Sequence, residues 1–379
     1  MVFKLANSLE TRNNVLEALG ATASEIEELL VYNQNLFDHE RDWELPLSDE
    51  LHITTWESYR REAETKGVLP VLQSKLVQLR FPIIAGISNT EPYQAATRRG
   101  APVEVNRFSL EEPDLLQLII HQTPAGKIPL LYSGARQDFI SLVQALTKKN
   151  EPVPIPDSMG AQIVSGYNNW GRIREYRSKW EKANPALNWE DEFRRLIPRK
   201  ELYQDTFGIL SDNEYSGVPA ADLGMTPSEW RQLSLIIRKE HECTHYLTRR
   251  LFGSMSNNML DELIADYAGI VKAFGSYRAD IFLRFIGLEN SPQSRPGGRI
   301  DNYRGNPPLS DGAFAILKQL VATAAHNLER FEKQRYLTET TDGNLPMIIA
   351  LTRLTIEELA SDTGGSLLQE ALLSGIKEC

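Results

Sequence analysis

Residues 226–275 read TPSEWRQLSLIIRKEHECTHYLTRRLFGSMSNNMLDELIADYAGIVKAFG, and this stretch decides the architecture of the second half of the chain. Thr226-Pro227-Ser228-Glu229 is a helix start. The Thr226 hydroxyl can accept from the Glu229 amide, the Glu229 carboxylate can reach back, and Pro227 suits the first turn. Trp230, Leu233, Ile236 and Ile237 carry a helical period through about Leu251, and Gly253 ends it. A second helix is expected from Asn257 or Asn258 through Phe274, closed by Gly275.

The first of these helices contains His241-Glu242-Cys243-Thr244-His245, an H-E-x-x-H spacing. Residues at i and i+4 share a helical face one turn apart, so both imidazoles can reach one metal ion. Glu242 sits beside that face, placed to take a proton from a water held by that ion. Cys243 points to roughly the opposite side and is expected to be buried and structural. The competing reading is a partly buried helix with two ordinary histidines.

A catalytic zinc site needs a third protein ligand and keeps one position open. The second helix offers Asp261-Glu262-Leu263-Ile264-Ala265-Asp266. Glu262 and Asp266 are again i and i+4, while Leu263, Ile264, Ala265 and Ala268 fill the apolar remainder. Two acids on the inner face of an apolar helix are costly to bury unless a positive group meets them. Glu262 is expected to bind the ion. Asp266 is expected to accept the free N–H of a ligand imidazole, His241 by preference, and fix its tautomer. The bland alternative leaves both acids facing solvent.

H-E-x-x-H on one helix followed by E-x-x-x-D on the next resembles the gluzincin branch of zinc metallopeptidases, the branch of thermolysin and the M1-type aminopeptidases. The resemblance covers about residues 226–275. It implies a zincin-like α+β fold, Zn2+ on His241, His245 and Glu262, Glu242 as the residue that polarises water, and Asp266 behind a ligand histidine. Three features depart from the pattern or bound it. Sixteen residues separate His245 from Glu262, fewer than in the best-known members. The Gly-Ala-Met-Glu-Asn string of the aminopeptidases is missing. The metzincin type is excluded, because Thr248 and Leu251 stand where it needs Gly and His. A neighbouring arrangement uses an aspartate as third ligand, which would promote Asp266 and demote Glu262.

The first half reads as mixed α/β. Residues 82–87, 102–105, 128–132 and 153–155 are expected strands, with helices at 92–99 and 138–148 between them. Pro152, Pro154 and Pro156 make the last of these an edge or a linker. Tyr167, Trp170, Tyr176, Trp180 and Trp189 read as core or interface aromatics. Past residue 225 the chain is almost all helix, with further helices expected at 279–287, 311–334, 346–361 and 366–374. Residues 289–312 are a long loop of the kind that forms lids and binding loops. The expected division is a mixed α/β region, 1–200, supplying a sheet and part of a substrate cleft, and a helical metal-binding region, 201–379.

Composition sets outer limits. The chain has 379 residues, 41% of them hydrophobic and 24% charged, the mix of a globular protein long enough to bury its own core. A formal net charge of −10 opposes nucleic acid and anionic membranes as partners. The N-terminal residues lack a basic start followed by an apolar run, and no apolar stretch is long enough for a membrane span. The two cysteines, Cys243 and Cys379, are expected to stay unbridged, and the expected location is the cytoplasm. No glycine-rich nucleotide motif occurs, so no nucleotide cofactor is implied.

The function expected is zinc-dependent hydrolysis of an amide or peptide bond. The alternative keeps the zinc for small-molecule tailoring of an amide, ester or lactam, and a third reading is a non-catalytic scaffold, against which Glu242 argues. An oxyanion donor is sought in Tyr303 and Arg304 of the long loop or in His326, with Tyr303 preferred; His326 lies in an apolar run and reads equally as a core histidine. His39, His52 and His121 have no partner spacing and read as ordinary. Peptidases of this kind pair substrate with a strand edge. The segment 207–219 is the first candidate for that edge, and Tyr167-Asn168-Asn169-Trp170 the second.

Overall fold

The computed structural model describes residues 8–41, 43–104, 106–336 and 344–375. In chain order the elements are α1 (Ser8–Ala18), α2 (Ala23–Tyr32), α3 (Ile53–Lys66), α4 (Val68–Lys75), α5 (Glu91–Arg99), β1 (Leu116–Thr123), β2 (Gly126–Ser133), α6 (Arg136–Thr147) and β3 (Ala161–Asn168). Then come α7 (Trp170–Ala183), α8 (Trp189–Leu196), β4 (Gln204–Ser211), α9 (Pro227–Phe252), α10 (Met259–Phe274) and α11 (Ala279–Ile286). Last are α12 (Asp311–Tyr336), α13 (Leu345–Thr352), α14 (Ile356–Ala360) and α15 (Gly364–Gly375). The protein is α+β, and its chain forms two compact units: Pro46–Asn213, and a discontinuous unit of Met1–Leu45 with Glu214–Cys379. No helix among the described residues is long and apolar enough to cross a membrane.

The sheet unit is built on four strands in the order β1-β2-β4-β3. β1 and β2 form an antiparallel hairpin, β2 pairs with β4 in parallel, and β3 pairs with β4 antiparallel, with an irregularity between Val164 and Tyr167. β4 is buried along nearly its whole length, as an inner strand paired on both sides must be. Gly208 lies opposite Leu130, where a Cβ would come within 2.7 Å of Cδ2 of that leucine. Trp56, Leu72, Phe139, Leu142 and Phe207 are among the side chains of the core. A buried Asp205 ties it together, accepting from Trp56 Nε1 at 2.8 Å and Asn169 Nδ2 at 2.7 Å and pairing with Arg172 at 2.6 Å.

Several expectations change here. Residues 82–87 are irregular and lead into a short 3-10 turn at Ile87–Asn89. The apolar run begins at Pro82, which has no amide to donate to a ladder. Residues 102–104 are not a strand, and Val105 lies outside the described residues. Residues 153–155 are not a strand either, for alternate prolines remove the donors a ladder needs. The boundary expected at residue 200 falls at 213, because β4 takes its partners from β2 and β3. The segment 207–219 is no free edge: Phe207–Ser211 sit inside β4, and the remainder is turn. Of Tyr167-Asn168-Asn169-Trp170, the first two residues lie on β3, the outer strand of the sheet, while Asn169 caps α7 and Trp170 packs against Phe193.

The helical unit follows the sequence closely. Thr226 and Glu229 form the reciprocal cap of α9, Gly253 ends it at φ 72°, and Gly275 ends α10. The helix expected at 346–361 is two, since Thr355 and Glu358 form a new cap that starts α14. α1 and α2 belong to this unit rather than to the first half of the chain. Arg12 and Asn33 reach the buried Glu357 Oε1 at 3.3 and 3.0 Å. His326 is exposed on α12, which overturns its reading as a core residue.

Candidate metal centre

α9 and α10 pack closely enough that Gly269 has no room for a side chain: a Cβ there would lie 2.8 Å from the Ile237 carbonyl oxygen. This approach brings His241 and His245 of one helix against Glu262 and Asp266 of the other. The two Nε2 atoms face each other at 3.0 Å. Glu262 Oε2 lies 3.7 Å from His241 Nε2, and its Oε1 lies 3.6 Å from His245 Nε2. His241, His245 and Glu262 form a cluster whose ligand atoms all lie within 4.8 Å of one another. A tetrahedral ion with bonds of about 2.1 Å holds its ligand atoms roughly 3.4 Å apart. The observed spacings straddle that value, so the donor set fits zinc in both chemistry and size.

Asp266 takes the other side of the first imidazole. Its Oδ1 stands 2.8 Å from His241 Nδ1, and the Tyr215 hydroxyl donates to the same oxygen at 2.6 Å. An acceptor on Nδ1 fixes the proton there and leaves Nε2 free as a donor of its lone pair. Of the two acids left open above, Glu262 faces both Nε2 atoms and Asp266 does not.

A partly buried arginine from the long loop closes the arrangement. Arg299 pairs with Asp266 and, at 3.3 Å, with Glu262. Its other nitrogen reaches the Tyr215 hydroxyl at 3.2 Å and Ser216 Oγ at 2.9 Å. Burial alone would raise the Glu262 carboxyl; its bond to His245 and the charges of His241 and Arg299 outweigh burial and hold it far below the usual range. Asp266 is lowered likewise, burial being overcome by Arg299 and His241. Burial would lower the His245 imidazole, but the Glu262 bond and charge raise it to about 9.

The long loop supplies Tyr303 as well. Its phenol is raised first by burial and then by Glu262, to which it is hydrogen bonded, so it stays protonated. Arg304 is elsewhere, paired with Asp311 and lying over the Phe314 ring. Glu242 is partly exposed, and its charge is felt at His245. Cys243 is buried and free, its thiol pushed up by burial; Cys379 lies outside the described residues. His39 and His52 bond main-chain oxygens of Thr352 and Thr206. Tyr215 and Arg299 escape a reading of the sequence. Tyr215 falls in a segment read as strand, and Arg299 meets Asp266 across 33 residues with no motif to join them.

An α+β protein with two histidines and a glutamate converging on one point is the class that fold and site define. The chain belongs to DUF7005, a family of unknown function, whose model matches residues 14–363. No curated protein and no solved structure matches it.

Proposed function

We propose that this chain is a zinc-dependent hydrolase, a metallopeptidase-like enzyme on a zincin-like scaffold, that cleaves an amide or peptide bond. The observation that carries the reading is the convergence of His241 Nε2, His245 Nε2 and the Glu262 carboxylate at zinc spacing. A zinc ion held there would supply Lewis acidity and a nucleophile at neutral pH. Asp266 keeps the His241 proton on Nδ1. Arg299 keeps Glu262 and Asp266 ionised and turned towards the histidines. Glu242 takes the proton of the attacking water on its carboxylate and returns it to the leaving nitrogen. Tyr303, protonated and beside Glu262, is the donor for charge developing on the substrate oxygen.

The second reading, tailoring of a small amide, ester or lactam, gains from one observation. The strand first expected to offer an edge to a peptide, β4, is paired on both sides, while the second candidate, at Tyr167 and Asn168, lies on the outer strand β3.

Elemental analysis tests the metal: about one zinc per chain is expected, and less than about a tenth after resupply would sink the reading. Glu242→Gln should keep its zinc and lose turnover by about 10²–10⁴-fold on any amide the wild type cleaves. Undiminished turnover would remove Glu242 from its role.

A further inference from the structure

The helical unit holds a cavity of about 710 Å³ apart from the histidine cluster. Pockets that take small molecules span roughly 300–1,000 Å³. Val31, Leu36, Pro307, Pro308 and Leu309 give it an apolar wall. Val31 is 76% and Leu36 47% exposed, so this wall carries apolar side chains left largely uncovered among the described residues. Glu28 is its one carboxylate, and no basic side chain lines it among the described residues. Ser310 donates its amide to Glu28 Oε2 at 2.8 Å, which holds that acid at the rim.

Two connections lead from the cavity to the cluster. Tyr32 is part of the lining, and its hydroxyl donates to the Tyr303 carbonyl, on the residue whose phenol bonds Glu262. Burial raises the Tyr32 phenol, and the charge of Glu262 adds to the effect, so the two side chains lie within electrostatic reach. Asn258, also in the lining, is the N-cap of α10. Glu262 follows it by four residues, about 6 Å along the helix axis.

We propose that this cavity receives an apolar, neutral or cationic group of a small-molecule substrate, with Tyr32 as the wall between that group and Glu262. The word substrate rests on the hydrolase reading; the class of ligand rests on the lining alone. An apolar wall gains by covering its exposed side chains with apolar surface. A carboxylate entering the same space would meet the like charge of Glu28, with no basic side chain among the described lining residues to pair it.

Indole, tryptamine and indole-3-acetate share a ring system and differ in charge, and calorimetric titration of the full chain with each, zinc-loaded and chelated, tests the proposal. Indole and tryptamine should bind, and indole-3-acetate at least about tenfold more weakly. Val31→Trp fills the space from an exposed position and should weaken indole at least about tenfold while leaving zinc affinity unchanged. Leu36→Trp is the second variant, should the first fold poorly. Equal binding of the three probes, no binding of indole up to its solubility limit, or unchanged binding in both variants overturns the proposal. Probe binding as expected in a protein that takes up no zinc would remove the hydrolase reading and leave the ligand class standing. Zinc uptake without probe binding would do the reverse.

Discussion

Asp266→Asn probes the charge arrangement at its most buried point. Asp266 has no exposed surface, accepts from Tyr215 at 2.6 Å, lies 2.8 Å from His241 Nδ1 and pairs with Arg299. The amide keeps a carbonyl oxygen for one neighbour and loses the charge that faces the guanidinium. Breaking a buried ion pair from one side costs about 3–5 kcal/mol, because the surviving charge stays buried. Arg299 still has Glu262 at 3.3 Å, which places the loss at the lower end of that range. For a unit of this size a loss of about 3 kcal/mol lowers the unfolding temperature of the metal-free protein by about 6–12 °C. The same change removes the anion behind His241, and zinc affinity should fall about ten- to a hundredfold. Calorimetry of the chelated protein and competition with a zinc-binding dye read the two effects. Arg299→Met combined with Asp266→Asn removes both charges together. The double variant should therefore fall short of the summed single losses by about 0.5–3 kcal/mol. Additive losses, or a single variant indistinguishable from wild type in both assays, would refute the reasoning.

Other outcomes follow from the same structure. Zinc must displace the proton on His245, whose pKa of about 9 in the metal-free protein exceeds the ordinary 6.5. That proton stabilises the metal-free fold fully below pH 6.5 and ceases to as pH passes 9, so zinc affinity should climb with pH and level off above it; an affinity flat across neutral pH contradicts this. Gly269→Ala places a Cβ 2.8 Å from the Ile237 oxygen and 2.9 Å from its Cγ2. It should cost about 1–3 kcal/mol in denaturant unfolding and weaken zinc binding; a variant as stable as wild type would show that the helix contact is slack. In the sheet unit, burial lowers the His52 imidazole against the charges of Asp205 and Glu50. Its folded pKa is below the unfolded 6.5, so this support is present above pH 6.5 and lost as pH falls through the folded value. Urea midpoints from pH 7 to 5 should fall more steeply for wild type than for His52→Gln, and equal slopes would contradict the assignment.

The helical unit was legible because its signals are local. Thr226 with Glu229, Gly253 and Gly275 mark helix ends through bonds made within a few residues. His241, His245, Glu262 and Asp266 share faces by spacing alone. The sheet was not legible in the same way. β4 owes its place to partners in β2 and β3, and its apolar run resembles the run at 82–87 that forms no strand. The guanidinium at the cluster comes from a loop whose composition announces only that it is a loop. Contacts such as Arg299 with Asp266 are set by the tertiary fold, and no periodicity records them.

The interrupted path of the helical unit has a consequence for how the polypeptide is made. Arg12 waits for Glu357, which lies 345 positions further on. A ribosome adding roughly 5–20 residues per second takes from about a quarter of a minute to more than a minute to cover that distance. For that interval Leu16 and Leu29 have no permanent shelter, while the sheet region, continuous in sequence and with its own core, can settle first. A nascent chain halted before α14 should therefore carry a sticky leader and depend on chaperones, even though the unit of residues 46–213 is already in place.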